Sequence, residues 1–331
     1  MQTSPKYSII VPAYNAEKTI SSTIRSVKNQ NIIDWELIVV ENGSNDNTSE
    51  IVTSFLEDSR IKLLHSEKGV SSARNLGISS SNGNWIIFLD ADDELTKNAL
   101  DVFEQGTCED DADVVVGLYN YEQNYCDGSK NLITDIETFI CKCLNDPTRR
   151  CNVTGNAFNN ELIQKYDCKF DKSLTHAEDS LFYLNVLLHS NKVIQINGSV
   201  YLYNYVSGSA VRRTNFNQFE KYIPTIQKMQ LLIGNDSKLQ KEMNSFILNQ
   251  VLIVLVNNVF TNENGYKFND LVKIEKEILN LDVVNDALEN VSFNYCDNTR
   301  KIVFKLMEMH CYKLLGMICS YKNHMNQKKG S

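Results

Sequence analysis

Three carboxylates stand within four residues in the segment Asp90–Asp93, directly after the apolar run Trp85–Leu89. Like charges held this close repel one another and raise one another's pKa values. A divalent cation removes that conflict, and a ligand set made only of oxygen atoms favours Mg²⁺ or Mn²⁺ over zinc. We therefore predict that Asp90 and Asp92, spaced i and i+2, serve a metal-dependent site.

The next two acids, Asp93 and Glu94, have a simpler interpretation. They precede an apolar segment that begins near Thr96. We expect them to form a solvated turn and the N-cap of a helix that starts there.

A second acidic pair, Glu178-Asp179, stands at the start of a predicted helix over Asp179–His189. The helix macrodipole favours acids at this end, so the pair by itself has a purely structural interpretation. The chemical alternative is a general base, which removes a proton from an attacking hydroxyl and typically contributes about 10²–10⁴ in rate.

The first hundred residues predict alternating strands and helices that position these acids. Short apolar runs predict four strands, at Tyr7–Val11 (closed by Pro12), Leu37–Val40, Ile61–His65 and Trp85–Leu89. Between them, Ile20, Ile24 and Val27 recur at helical spacing after a predicted N-cap at Asn15, and further helices are predicted around Ile51–Phe55 and Ser72–Ser79. Strands that are apolar without alternation indicate an α/β fold with a mostly parallel sheet covered on both faces. Ligands of such sheets bind at the carboxyl ends of the strands.

The remainder of the chain changes character twice. Strands are predicted at Val114–Tyr121, Lys192–Ile196 and Ser199–Tyr205, with helices at Ile136–Leu144 and Asp179–His189. From about Phe216 the pattern is nearly all helical, notably over Phe246–Val259 and Lys301–Tyr321.

Length and composition indicate a folded protein with reduced thiols. A chain of 331 residues with 42% hydrophobic and 22% charged residues is long enough for about two folded domains. Nine cysteines without a C-x-x-C pair indicate reduced thiols in a cytoplasmic protein. We see neither a signal-peptide pattern nor an apolar window long enough to span a membrane.

Charge is distributed unevenly along the chain. From Arg300 to the end there are seven Lys or Arg and one acid, Glu308, so this tail carries +6 and residues 1–299 carry −14. An acidic body argues against nucleic-acid binding, which needs a basic footprint. The basic tail has two open interpretations: a helix that packs on the protein, or peripheral contact of 300–331 with the inner face of the cell membrane.

Four segments in register resemble the successive motifs of the family 2 glycosyltransferases. They are YSIIVPAYN (7–15), VVENGSND (39–46), VSSARNLG (70–77) and WIIFLDADD (85–93), and HAEDSLF (176–182) resembles the family's acidic pair at the acceptor-side helix. The resemblance is clear over about residues 1–110 and extends to about 210. It implies a GT-A fold and an inverting transfer of a sugar from a nucleotide diphosphate, in bacterial surface polysaccharide or lipopolysaccharide synthesis.

The resemblance also implies roles on the donor side. Tyr14 would stack on a uracil-like base, the backbone of Pro12 and Ala13 would hydrogen-bond to it, and Glu41 would contact the base or the ribose. Arg74, Asp90 and Ala91 complete the predicted nucleotide-sugar contacts, and segment 203–209 corresponds to a phosphate-facing loop. Glu41-Asn42 departs from the family's usual pair of aspartates, so UDP is preferred over GDP or dTDP only weakly.

On the catalytic side, the resemblance implies that Asp92 binds the Mn²⁺ or Mg²⁺ that bridges the diphosphate. It favours Asp179 as the general base, with Glu178 beside it holding acceptor hydroxyls or orienting the base. The acceptor is expected to be a saccharide or a lipid-linked saccharide. His176 is a weaker candidate for contact with the donor or the metal.

The resulting division is 1–110 for the nucleotide-sugar half of a GT-A domain, 111–215 for the acceptor half, and 216–331 for a helical C-terminal region. Two other classes remain. A sugar nucleotidyltransferase has a similar sheet but needs a Gly-rich, basic phosphate loop after the first strand, where Pro12–Asn15 has neither. A donor-binding subunit without activity of its own is the second.

Overall fold

A computed structural model of the protein describes residues 4–109, 111–121, 126, 128–133, 135–204, 217–261 and 265–329. These residues divide into two compact units. One contains the described residues of Met1–Ile136, Asn152–Ser173 and Glu178–Asn204, and the other those of Glu137–Cys151, Leu174–Ala177 and Tyr205–Ser331. The second unit is helical.

Nine strands form a single sheet in the first unit. They are β1 (Tyr7–Ala13), β2 (Trp35–Glu41), β3 (Ile61–His65), β4 (Trp85–Phe88), β5 (Glu94–Leu95), β6 (Val114–Tyr119), β7 (Lys130–Ile133), β8 (Asn156–Asn159) and β9 (Val193–Leu202). Their order is β3-β2-β1-β4-β8-β6-β9-β5, and β7 pairs with β9.

Fourteen α-helices occur in the described ranges. They are α1 (Ile20–Lys28), α2 (Thr48–Thr53), α3 (Val70–Ser80), α4 (Ala99–Thr107), α5 (Ile136–Asn145), α6 (Pro147–Arg150), α7 (Asn160–Lys165), α8 (Glu178–Leu188), α9 (Ile223–Ile233), α10 (Ser237–Val254), α11 (Phe268–Leu279), α12 (Asp282–Glu289), α13 (Asn298–Glu308) and α14 (Tyr312–Lys329). A 3₁₀ turn (Phe219–Tyr222) precedes α9, and a π-helical turn (Leu255–Val259) extends α10. Within these ranges every helix is too short or too polar to cross a lipid bilayer.

The predicted α/β fold class is confirmed, and the sheet is mixed. Strands β3, β2, β1 and β4 run parallel, with Ala13 opposite Glu41 and Ile10 opposite Phe88. Strand β8 then pairs antiparallel with both β4 and β6, while β6 and β9 are parallel. The parallel half therefore brings the ends of β1, β2 and β4 to one edge, as the sequence predicts.

Both faces of the parallel half are covered because its strands are apolar at successive positions. Leu37 and Val39 of β2 belong to the large core of the first unit. Ile38 and Val40 point to the other face and pack with Ala73 of α3. Burying β2 on both sides explains why its sequence does not alternate.

Three details of the sequence prediction are wrong. Helix α1 begins at Ile20 after Thr19, not after an N-cap at Asn15. The two strands predicted over residues 192–205 are the single strand β9, and residue 205 lies outside the described residues. The helix predicted over Lys301–Tyr321 is two helices, because the chain turns at His310 with φ 53°.

Candidate active site

The loops after β1 and β2 are tied together by the side chain of Asn15. The side-chain oxygen of Asn15 accepts a hydrogen bond from the backbone N–H of Asn45 (2.9 Å), and the backbone N–H of Asn15 donates to Ser44 Oγ (3.0 Å). Asn15 has φ 49°, a left-handed conformation that Asn tolerates better than most residues. Its local role is therefore to join two loops at the carboxyl edge of the sheet.

Glu41 ends β2 and is buried within its own loop. It accepts a hydrogen bond from the backbone N–H of Ser44, and its Oε2 lies 3.2 Å from His65 Nδ1. Desolvation would raise the pKa of this carboxyl, but the hydrogen bonds from Ser44 and His65 outweigh it and lower the pKa. Glu41 is therefore ionised at neutral pH, and both of its carboxylate oxygens can accept hydrogen bonds.

The end of β1 offers backbone and an exposed ring. Pro12 and Ala13 are buried in the strand, and the carbonyl oxygen of Ala13 accepts from Asn42 N–H (3.0 Å). Tyr14 follows with 41% of its surface exposed, and the ammonium of Lys68 lies 4.8 Å from its ring centroid. The exposed ring can stack against a planar ligand. The neighbouring ammonium attracts a ligand that is negatively charged.

The turn after β4 is held by buried polar contacts around Asp93. Tyr201 donates to Asp93 Oδ2 (2.8 Å), and the N–H of Asn204 donates to Oδ1 (2.7 Å). Desolvation, aided by the charges of Asp90 and Asp92, raises the pKa of Asp93 to about 7 against these hydrogen bonds. The expectation of a solvated turn is thus wrong for Asp93: the residue is only 3% exposed.

The helix expected at Thr96 is also absent there, because Glu94–Leu95 pairs with β9 as strand β5 and the helix α4 begins at Ala99. The Thr23 hydroxyl of α1 supports the turn from below, at 3.0 Å from the carbonyl oxygen of Ala91 and 2.8 Å from that of Asp93.

Asp90 and Asp92 face solvent more than Asp93 does. The Asp90 side chain is 39% exposed, and its Oδ1 lies 3.2 Å from Arg74 Nη2. Asp92 is exposed. Partial desolvation and then repulsion from Asp90 raise the pKa of Asp92. Both carboxylates are thus accessible to a ligand at the edge of the sheet.

Arg74 of α3 links Asp90, in the turn after β4, to Glu178 at the start of α8. It is buried, and its two terminal nitrogens lie 3.2 Å from Asp90 Oδ1 and 3.4 Å from Glu178 Oε1. Its guanidinium carbon lies 5.1 Å from the ring centroid of Phe170, and Nε has no hydrogen-bond partner among the described residues. Desolvation would lower its pKa, but the charges of Asp90 and Glu178, followed by Asp179, raise it. Arg74 is therefore a fixed cation between carboxylates that are 88 positions apart in the chain.

Asp179 lies in the first turn of α8. Its Oδ1 accepts from the backbone N–H of Ser180 (2.7 Å). Desolvation and the neighbouring charge of Glu178 raise its pKa, against the opposing effect of Arg74. A carboxyl whose proton affinity is raised in this way is a stronger base than an exposed aspartate.

The residues present fit a metal that is held mostly by its substrate. No group of three or more His, Cys, Asp or Glu side chains that could hold a metal occurs in the part of the chain described. Mg²⁺ is commonly held by one or two carboxylates together with substrate phosphates, and Asp92 beside Asp90 matches that donor set.

The structure brings Arg74, Asp90, Glu178 and Asp179 together and puts Tyr14 and Glu41 on the neighbouring loops. His176 belongs to the helical unit, where its ring lies against the side-chain amide of Gln218 and its carbonyl accepts from Thr225 Oγ1 (2.6 Å). Of segment 203–209, residues 205–209 lie outside the described residues.

Sequence reasoning missed the supporting residues Thr23, Phe170 and Tyr201. Thr23 and Tyr201 contact Asp93, and Phe170 contacts Arg74. In each case the two residues are far apart in the sequence. Tyr201 falls in a predicted strand, but nothing local distinguishes it from other strand tyrosines.

Comparison with solved structures defines the class. The fold is similar to that of Staphylococcus aureus TarS (residues 1–349, in complex with UDP-GlcNAc), with a TM-score of 0.68, 19% identity, and coverage of 96% of this chain and 92% of that one. The sheet of this chain thus has the GT-A fold.

The chain belongs to glycosyl transferase family 2, whose family model matches residues 8–165. It is 31% identical to the glycosyltransferase GlyG of Streptococcus pneumoniae serotype 4 over 226 residues, which are 63% of this chain and 74% of GlyG. It is 29% identical over 265 residues to the Escherichia coli enzyme WfgD, named as a UDP-Glc:alpha-D-GlcNAc-diphosphoundecaprenol beta-1,3-glucosyltransferase, covering 78% of this chain and 98% of WfgD.

Proposed function

We propose that the protein is an inverting glycosyltransferase that moves a sugar from a UDP-sugar to a saccharide or lipid-linked saccharide during surface polysaccharide, capsule or lipopolysaccharide synthesis. The proposal rests on one observation: Arg74 pairs both with Asp90 of the donor-side motif and with Glu178 of the acceptor-side motif. The UDP-sugar named for WfgD and the UDP-GlcNAc bound in TarS support the donor class.

Residues 1–110 form the donor half of this proposal. Tyr14 stacks on the base, the Pro12–Ala13 backbone hydrogen-bonds to it, and Glu41 accepts a hydrogen bond from the base or ribose. The turn Asp90-Ala91 contacts the ribose.

The proposed metal site is Asp92 together with the diphosphate oxygens, with Mn²⁺ or Mg²⁺ as the ion. When bound, such an ion neutralises the charge that collects on the leaving diphosphate, which is worth several kcal/mol of barrier. Arg74 adds a fixed positive charge to the same edge of the sheet.

Residues 111–215 form the acceptor half, and 216–331 a helical C-terminal region. Asp179 removes the proton of the acceptor hydroxyl while that oxygen attacks the anomeric carbon. The bond between the anomeric carbon and the phosphate oxygen breaks, and its electron pair leaves with the nucleotide diphosphate. Attack from the opposite face inverts the anomeric configuration. Glu178, held by Arg74, orients the acceptor or the base.

The donor assignment is tested by titrating UDP-, GDP- and dTDP-sugars into the protein by calorimetry, with and without Mn²⁺. We expect a UDP-sugar to bind best and Asp92→Asn to lose the metal-dependent part of the affinity. The control is Asp167→Asn, which changes an exposed aspartate elsewhere in the same unit. Unchanged metal-dependent affinity in Asp92→Asn would remove this residue from the metal site.

The base assignment is tested with Asp179→Asn in the presence of the best donor. We expect transfer to fall about 10²–10⁴-fold while donor affinity stays within twofold, because a neutral amide cannot accept the proton. Near-full transfer by this variant would contradict the assignment. A β-linked product from an α-linked donor, seen by NMR, is the expected stereochemistry; an α-linked product would rule out inversion.

A further inference from the structure

Helix α14 buries only one side of its surface. Leu315, Gly316, Cys319 and Asn323 are buried within the helical unit. At 100° per residue these four positions fall within about 100° of the helix circumference. The opposite side of the helix is exposed.

That opposite side carries four large apolar side chains, which we call the apolar row: Leu314, Met317, Tyr321 and Met325. Their exposed fractions are 50%, 57%, 66% and 37%. Spacings of three, four and four residues put them within about 80° of one another. A contiguous exposed apolar patch of this kind is unusual on a soluble surface and marks an interaction site.

The charge of α14 indicates what the apolar row meets. The helix contains four lysines and no Asp or Glu, in a chain whose net charge is −8. Lys313 and Lys322 lie on either side of the apolar row, about 90° from its centre. Neither ammonium has an ion pair or hydrogen bond to any described residue. A second copy of this helix would bring like charges together, whereas an anionic surface complements them.

Lys322 also borders a cavity of about 500 Å³ in the helical unit. Side-chain amides line it, from Asn257, Asn298 and Asn326, and its apolar wall includes Ile318. Amide groups and one free ammonium can hydrogen-bond to phosphate oxygens.

We infer that α14 binds a negatively charged lipid bilayer, with the apolar row at the acyl boundary and Lys313 and Lys322 on lipid phosphates. An amphipathic helix with an apolar row and flanking lysines has the two attractions that stable surface binding needs. The cavity beside Lys322 receives a lipid headgroup. The inference extends the proposed function, because it would hold the enzyme where a lipid-linked acceptor lies.

The test is co-sedimentation of the full-length protein with phosphatidylglycerol vesicles and with neutral phosphatidylcholine vesicles. We expect binding to the anionic vesicles only. Lys313→Gln/Lys322→Gln should weaken it about 25-fold, at about 1 kcal/mol per lysine. Leu314→Ser/Met317→Ser should weaken it at least about tenfold, because two apolar side chains that the bilayer would bury are lost.

The matched control is Leu231→Ser on α9, which removes an apolar side chain that is 80% exposed and does not belong to the apolar row. It should bind as the wild type does, and circular dichroism should report the same helix content in every variant. Absent vesicle binding, or equal binding by the wild type and the α14 variants, would overturn the inference. So would a dimer in analytical ultracentrifugation that the α14 variants dissociate. Donor affinity is measured without vesicles, so failure here leaves the proposed function standing.

Discussion

Glu275 is a buried acid without a hydrogen-bond partner in the described part of the chain, and it should make the stability of the helical unit depend on pH. The residue lies on α11 and is 0% exposed. Neither of its carboxylate oxygens has a hydrogen-bond partner among the described residues. Desolvation raises its pKa from 4.5 to about 8. Cys319 lies near it, but burial raises the pKa of that thiol to about 12, so the thiol stays neutral below pH 9.

The direction in which stability changes with pH follows from the pKa values of Glu275 in the unfolded and the folded chain. Between pH 4.5 and about 8 the unfolded chain has lost the Glu275 proton while the folded chain keeps it. Folding then takes up a proton, so the free energy of unfolding falls by about 1.4 kcal/mol for each pH unit. Over the two units from pH 5 to pH 7 the loss is about 3 kcal/mol. Below pH 4.5 and above about 8 this contribution is constant.

Glu275→Gln removes the titration and keeps the shape. We expect the variant to be less pH-dependent than the wild type, so that its stability relative to the wild type rises by about 3 kcal/mol between pH 5 and pH 7. Urea unfolding of the full chain, followed by circular dichroism at half-unit steps of pH, measures the difference. Glu277→Gln, an exposed position on the same helix, is the control. Parallel curves for the wild type and Glu275→Gln would refute a buried, protonated Glu275.

Three further substitutions test the sheet and its acidic edge by urea unfolding. Arg74→Met should lower the free energy of unfolding by about 3 kcal/mol. This value is the low end for breaking a buried ion pair, because one of the acidic partners of Arg74 is partly exposed. A loss below 1 kcal/mol would contradict its role as the buried counter-charge. Tyr201→Phe should cost about 1–3 kcal/mol by removing a donor to Asp93, and should raise the pKa of that buried acid further; an unchanged midpoint would argue against the bond. Gly77→Ala should destabilise the fold by about 1–3 kcal/mol, since the added methyl group would lie 2.3 Å from Ile10 Cγ2. A stabilised variant would show that α3 can move away from β1.

The strongest local signals in the sequence predicted elements accurately. Strand β3 occupies Ile61–His65 as predicted, and α1 contains the predicted apolar spacing Ile20, Ile24 and Val27, all buried. Both patterns are set by neighbours within a few residues, because strand and helix periodicities are local. Each family motif likewise lies within one short segment at the end of a strand or the start of a helix, so the sequence alone identified the family that the comparisons confirm.

The helix break at His310 shows where local patterns fail. Apolar spacing continues across the break, and no Gly or Pro marks it. The structure closes α13 with bonds from Cys311 N–H to Leu306 O (2.9 Å) and from His310 N–H to Met307 O (3.0 Å), the Schellman arrangement, with His in the left-handed position that Gly usually occupies. Packing of α13 against α14 favours this turn, and packing cannot be deduced from periodicity.

The candidate site divides in the same way. The sequence by itself determined which acids stand at strand ends and at a helix start, because those positions follow from local pattern. Only the tertiary structure decided that Arg74 joins Asp90 to Glu178, that Asp93 is buried under Tyr201, and that the apolar row of α14 is exposed. These facts depend on the order of strands and on which helix faces are covered, and both are set by contacts between residues far apart in the chain.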